Sequence, residues 1–206
     1  MKKIRFGVIG CGSIANEYHL PALRRVEGAQ LVWACDLIEE RAQKAKDDFG
    51  FEKYTLDYHD ILNDSSIDAV CIFTKIEMHA TLCIEAAAAG KHIFSQKPFA
   101  YNIEEGRKII RAVDEAGVKL TPSFMHSYMD GSIAARRIVE EGKIGEIRHI
   151  RMRNATKNPF DSAPGYGGCM MDIGCHGMDL IHTVAGSSIE EVFALHLSGS
   201  TGAACQ

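Results

Sequence analysis

The chain contains no Cys-x-x-Cys pair, although it carries seven cysteines, at positions 11, 35, 71, 83, 169, 175 and 205. An odd number without that spacing excludes the common zinc-finger and dithiol redox motifs. Cys35, Cys71 and Cys83 fall inside apolar segments and read as buried thiols in a reducing compartment. No apolar run approaches the ~18 residues that a membrane-spanning helix needs. The start, Met1-Lys2-Lys3, is basic, but Arg5, Gly7 and Gly10 interrupt the adjoining apolar stretch, so no signal-peptide core forms. These absences lead to the expectation of a cytoplasmic protein with no membrane partner. A basic excess is also missing: 23 Lys and Arg stand against 27 Asp and Glu, a formal charge of −4, which leaves no nucleic-acid footprint. What remains is an ordinary globular composition, 46% apolar and 24% charged over 206 residues. That length suits one large domain, or one domain and part of another.

Short, continuously apolar runs alternate with helical patterns through the first part of the chain. Ile4 to Ile9, Leu31 to Cys35, Phe51 to Thr55, Ala69 to Phe73, Lys91 to Phe94 and Val118 to Thr121 read as strands. Helices are expected from Ser13 through Arg25, broken or kinked at Pro21, and over Glu39 to Phe49, Asp57 to Leu62 and His79 to Ala89. Another is expected from Asn102, which forms a capping box with Glu105, to Ala116. Strands that are apolar on both faces belong to a parallel sheet covered by helices on both sides. Residues 1–121 therefore read as a complete doubly wound nucleotide-binding domain. Residues 122–206 follow a different pattern, an incomplete α+β domain with an open, largely antiparallel sheet. A helix spans Met129 to Glu141, and Glu146 to Arg153 alternates polar and apolar as a half-exposed strand. Asn154 to Gly167 reads as a loop, Gly168 to Ala185 as a helix, and Glu191 to Leu197 as a second alternating strand.

Four groups of residues could carry chemistry. Gly10-Cys11-Gly12-Ser13-Ile14-Ala15 is a G-x-G-x-x-A turn placed between a strand and a helix. Gly10 permits the tight turn, Gly12 lets the backbone approach a pyrophosphate, and Ala15 allows close helix–strand packing. The helix N-terminus offers its unsatisfied N–H groups to the phosphates. Asp36 ends the second strand, 24 residues after Gly12, where a carboxylate accepts hydrogen bonds from adenosine ribose hydroxyls and repels a 2′-phosphate. NAD is therefore favoured over NADP, with Arg41 the nearest cation that could favour the latter. Asp36 could also cap the next helix in a box with Glu39. Gln96-Lys97-Pro98 follows the fifth strand, at the sheet edge where open α/β folds place ligands, and Lys97 could stabilise a developing alkoxide. Asp172, His176 and Asp179 recur at i, i+4 and i+7 of one expected helix face, a spacing suited to acid/base work. Metal binding is disfavoured, because Cys175 points to another face and no His-Glu-x-x-His pattern occurs. His126 and His182 are less informative, and His79, opening the helix after strand four, could lie near the cofactor.

Taken together, VIGCGSIA, CDLIEERAQKAKDDFG, HATLCIEAAAAGKHIFSQKPFA, GKIGEI and GGCMMDIGCHGMDL resemble the Gfo/Idh/MocA oxidoreductases, the family of inositol, glucose-fructose and related sugar dehydrogenases. The resemblance runs from about Ile4 to about Leu197. It implies a Rossmann domain and an NAD(P)-dependent oxidation of a polyol, sugar or sugar derivative. Lys97 corresponds to the lysine of the family's Glu-Lys-Pro motif, and Asp172 and His176 to its Asp-x-x-x-His pair, the three acting on one substrate hydroxyl. On the same ground Gly10, Cys11, Gly12, Ser13, Ile14, Asp36, Thr74, His79, Gln96 and Lys97 are expected to hold the cofactor. The resemblance also implies a homo-oligomer and a Lys97-Pro98 peptide that is often cis. Two positions depart from the family pattern: Gln96 stands for the glutamate of Glu-Lys-Pro, and Thr74-Lys75-Ile76-Glu77-Met78-His79 lacks its proline. The second domain is expected to be short of strands at its C-terminal side. The alternatives are a dinucleotide-binding sensor or regulatory subunit without turnover, and an inactive fragment that folds as its first domain.

Overall fold

The computed structural model describes residues 2–153 and 170–195. The chain divides into two compact units, Met1–Ser123 and Phe124–Gln206.

The first unit is built on six strands: β1 (Ile4–Ile9), β2 (Ala29–Cys35), β3 (Lys53–Thr55), β4 (Ala69–Ile72), β5 (His92–Ser95) and β6 (Leu120–Pro122). All pair in parallel, in the order β3-β2-β1-β4-β5-β6. This is the doubly wound arrangement, and its order reverses between β1 and β4. Successive side chains of each strand enter opposite cores. Ile9, Val70, Ile72 and Ile93 pack on one face with Leu82, Ala86 and Ile109. Val8, Cys71 and Phe73 pack on the other with Ala15, Leu20, Ala45 and Phe51. That two-sided burial is why the strands read as unbroken apolar runs.

One irregularity interrupts the alternation. The β1–β2 register shifts so that Phe6 faces Leu31 and Gly7 faces Trp33. Val32 is the extra residue, and it shares a core face with Cys35 while Leu31 and Ala34 take the other. A bulge of this kind changes the strand's parity by one residue.

Helices cover both faces. A π turn at Ala15–His19 runs into α1 (Leu20–Leu23). The amide of Leu20 reaches back five residues to the Ala15 carbonyl, and Pro21 follows within the first turn of α1. The expected break at Pro21 is thus absorbed as a widened turn, and helical structure continues to Leu23. The other helices of this unit are α2 (Glu39–Phe49), α3 (His59–Asn63), α4 (His79–Ala88) and α5 (Ile103–Ala116). Asn102 caps α5 by accepting from the Glu105 amide at 2.9 Å, and Gly117 closes it at φ 65°. Gly50 ends α2 in the same left-handed conformation.

In the second unit the described residues form a 3-10 turn at Met125–Tyr128, α6 (Asp130–Glu140), a π turn at Met170–Gly174 and α7 (Cys175–Ala185). The strand expected over residues 146–153 does not form there. The segment partly keeps its alternation, with Ile150 and Met152 half-buried among exposed His149, Arg151 and Arg153, but it has no ladder partner among the described residues. Residues 191–195 are exposed and likewise unpaired among the described residues, and the rest of that expected strand lies outside them, as does the loop at 154–167. Alternation licenses a strand only when a neighbouring backbone supplies the hydrogen bonds. Among the described residues no helix is long and apolar enough to cross a membrane.

Candidate functional site

The carboxyl ends of the parallel strands are stitched together by their own backbone. The amide of Gly10 donates to the Cys35 carbonyl at 2.8 Å, Phe73 to Ile9 at 2.8 Å, Gln96 to Ile72 at 2.9 Å and Ser123 to Ser95 at 2.8 Å. Ladder bonding therefore continues past the last residue of β1, β4, β5 and β6 and sets where the following loops begin.

At β1 that loop is the glycine turn. Gly10 sits at φ 98°, and a Cβ there would stand 2.6 Å from the Phe73 carbonyl oxygen. Only glycine lets the turn lie against the end of β4 in this conformation. A Cβ at Gly12, by contrast, would meet nothing within 4 Å. The space beside Gly12 is open, as backbone approach to a pyrophosphate requires, and helical structure begins at the next residue. Cys11 is buried, and its thiol turns inward to the Cys35 carbonyl at 3.5 Å. Burial, reinforced by the Asp36 charge, pushes that thiol up to about 12. Cys11 therefore contributes backbone, and its sulfur is not a nucleophile. Ser13, which the sequence offers as the cap of this helix, is instead exposed within its first turn. Asn16 braces the turn from the helix, its amide donating to the carbonyls of Cys11 at 2.6 Å and Gly12 at 2.8 Å. Ile14 is also exposed beside the turn.

Asp36 latches the turn to β2. Its Oδ2 accepts from the Cys11 amide at 2.8 Å, and its Oδ1 accepts from the Ile38 amide at 3.0 Å. The capping box with Glu39 does not form, because Ile38 is the residue before α2 and Asp36, two residues earlier, closes an Asx turn on its amide. Each carboxylate oxygen keeps a second lone pair, so the latch is compatible with accepting ribose hydroxyls.

The β5 end carries Gln96, Lys97 and Pro98. The Lys97-Pro98 peptide is cis. Gln96 is buried, and its Oε1 accepts from the Lys97 amide at 2.7 Å. Its Nε2 lies 2.9 Å from His19 Nε2. The His19 ring stacks on Phe73, with centroids 4.2 Å apart, and meets Phe94 edge-on. Thr74 follows β4, half-buried, with its hydroxyl on the Lys75 carbonyl at 3.3 Å. His79 is fully buried rather than lining an open surface. Its Nδ1 lies 2.9 Å from the Pro98 carbonyl and its Nε2 3.2 Å from that of Thr74. Burial lowers the pKa of both His19 and His79. His19, Phe73 and Asn16 carry no motif that sequence reasoning could have used. They become visible only when helices and strand ends are brought together.

In the second unit, His176 lies in the first turn of α7 and is 5% exposed. Its ring stacks on His126 with centroids 4.2 Å apart and an interplanar angle of 26°, and it meets Phe124 edge-on at 6.1 Å. Asp172 lies in the preceding π turn, not in a regular α-helix as the spacing suggested. Gly174 packs against Met170 there: a Cβ would stand 3.2 Å from the Met170 sulfur. Asp179 is occupied structurally, accepting from the Ser127 hydroxyl. His182, exposed at the end of α7, bonds the Ser187 carbonyl at 2.8 Å. Among the described residues no group of three His, Cys, Asp or Glu is placed to hold a metal ion.

Comparison with known proteins extends this geometry. The chain is 31% identical over 193 residues to the myo-inositol 2-dehydrogenase of Thermotoga maritima, covering 93% of this chain and 58% of that protein. It is 30% identical over 192 residues to the NAD(+)-dependent scyllo-inositol 2-dehydrogenase of Bacillus subtilis, covering 92% and 56%. Among solved structures, a probable dehydrogenase from Thermotoga maritima superposes with a TM-score of 0.83 at 30% identity, covering 91% of this chain and 56% of that one. The scyllo-inositol dehydrogenase of Lactobacillus casei, with bound NAD(H) and scyllo-inositol, gives a TM-score of 0.78 at 27% identity, covering 90% and 57%. The chain thus spans little more than half the length of the relatives it matches. The oxidoreductase family with an NAD-binding Rossmann fold matches residues 4–124, and its C-terminal domain matches residues 133–202. Matched by that family over residues 4–124, more than half of its length, the chain belongs to the Gfo/Idh/MocA oxidoreductase family.

Proposed function

We propose that this protein is an NAD-dependent oxidoreductase acting on a secondary hydroxyl of a polyol, an inositol or a related sugar. The observation that carries the reading is the latched glycine turn. Gly12 faces open space, and the Asp36 carboxylate is pinned beside it at the switch point of the sheet. Gly10 through Ile14 would hold the pyrophosphate, Asp36 the adenosine ribose, and Thr74, Gln96 and Lys97 the neighbourhood of the nicotinamide. Bound NAD would supply the hydride acceptor, at C4 of its nicotinamide.

The protein's own groups handle the proton. Lys97 donates a hydrogen bond to the substrate oxygen and stabilises negative charge as the O–H bond breaks. His176 accepts the hydroxyl proton, and Asp172 orients the imidazole or binds a neighbouring hydroxyl. The names of the relatives support a polyol substrate, and the resemblance supports a homo-oligomer. Cys11, Cys35, Cys71 and Cys83 are buried thiols outside any disulfide, which accords with a cytoplasmic enzyme. Calorimetric titration of the chain with NAD and, in parallel, NADP tests the cofactor site. NAD should bind and NADP bind more weakly, and a myo-inositol and scyllo-inositol screen should then show NADH formation. Failure to bind either dinucleotide would overturn the reading, and tight NAD binding without turnover on any polyol would favour the sensor alternative.

A further inference from the structure

Lys97 sits in a loop with a partner on each side of its Lys97-Pro98 peptide. On the N-terminal side, the atom 2.7 Å from the Lys97 amide must be an acceptor, so it is the Gln96 oxygen. The other end of the Gln96 amide is then NH₂, and it faces His19 Nε2 at 2.9 Å. An NH₂ group only donates, so Nε2 of His19 accepts, and the ring is neutral with its proton on Nδ1. Stacking on Phe73 and the edge contact with Phe94 hold the ring in that orientation. On the C-terminal side, His79 meets the Pro98 carbonyl at 2.9 Å and the Thr74 carbonyl at 3.2 Å. Both carbonyls only accept, so the ring donates, and the shorter contact places an N–H on Nδ1 towards Pro98.

We infer that His19, acting through Gln96, and His79, acting on Pro98, are positioning residues that clamp the Lys97 backbone from the helices after β1 and β4. The inference rests on the reading of Lys97 as the group that meets the substrate hydroxyl. It also gives Gln96 a specific role. With glutamine in the place of the family's glutamate, the direction of donation at His19 is set by an amide. A carboxylate there would require a proton on His19 Nε2.

The test uses the full chain with ¹⁵N-histidine NMR, amide exchange at Lys97, NAD affinity, and oxidation of myo-inositol with NAD. In the unaltered protein, His19 Nε2 should give the resonance of an unprotonated nitrogen, and the Lys97 amide should be protected. Gln96→Glu should keep that protection and move the proton of His19 to Nε2. His19→Phe preserves the stack and removes the acceptor. It should speed Lys97 exchange about tenfold and lower kcat about 10- to 100-fold with NAD affinity unchanged. His79→Asn should do the same from the Pro98 side, and if that variant does not fold, His19→Phe and Gln96→Glu carry the test. A protonated His19 Nε2 in the unaltered protein, or Lys97 exchange unmoved by His19→Phe, overturns the clamp. Faster exchange in variants of a protein that never oxidises a polyol would keep the clamp and overturn the dehydrogenase reading. Turnover with unmoved exchange would do the reverse.

Discussion

In the first unit the groups at the sheet edge hang on strand ends, whereas in the second unit His176 hangs on a helix and is held by side chains. Gly10, Phe73, Gln96 and Ser123 each enter the carboxyl edge through a backbone bond to the neighbouring strand. Moving any one of these breaks a ladder shared with the others. His176 is instead placed by ring contacts with His126 and Phe124 and by the bond from Ser127 to Asp179. The first arrangement needs particular backbone conformations, and so depends on glycine and on chain direction. The second needs particular side-chain shapes, which can be changed one at a time.

Four experiments separate these two ways of holding a group. The largest effect is expected at His176. His176→Ala should reduce polyol turnover by about 10²- to 10⁴-fold, the usual contribution of a positioned acid/base, while NAD affinity by calorimetry stays nearly intact. Equal loss of both would remove His176 from the acid/base role. Next comes Gly10→Ala, which places a Cβ 2.6 Å from the Phe73 carbonyl oxygen in a left-handed conformation. It should cost about 3 kcal/mol in urea unfolding. Gly12→Ala meets open space, so it should leave stability nearly unchanged and weaken NAD binding. If the two variants lose stability equally, the turn is not seated on β4.

A smaller effect is expected from Ser127→Ala, which leaves Asp179 without its hydroxyl donor. About 1–2 kcal/mol should be lost, read as a shift of the urea midpoint of the second unit, with the first unit unaffected. The smallest is a pH effect confined to the first unit. His19 and His79 both have pKa values lowered below 6.5 by burial. Below 6.5 the unfolded chain therefore takes up protons that the folded chain does not. The stability they contribute is complete above pH 6.5 and falls as the pH drops through that value towards their folded pKa values. The slope should reach at most about 1.4 kcal/mol per pH unit for each proton. His19→Phe should reduce the slope, and an unchanged slope would show that His19 does not carry it.

Much of this was legible in the sequence, because the information was local. The runs IRFGVI and AVCI carry their double burial in composition, Asn102 and Glu105 cap α5 across three residues, and Gly50 and Gly117 end helices by their own conformational freedom. Gly10 and Gly12 were readable as a tight turn between strand and helix for the same reason, since strand, turn and helix are consecutive. The strand expected at residues 146–153 misled because alternation is only half of a strand, and the other half is a partner backbone.

The order of elements, the two-sided burial of the parallel strands, the glycine turn and the candidate groups Lys97, Asp172 and His176 were thus written in the chain itself. Which atoms those groups bind was settled by tertiary packing. The contact of Gln96 with His19 spans 77 positions of sequence and that of His79 with Pro98 spans 19. The bulge at Val32 and the π turns before Pro21 and Cys175 leave no periodicity to read. Hydrogen-bond direction at a buried amide or imidazole depends on what the other end of the group meets, and that is fixed when distant strand ends and helices pack into one edge.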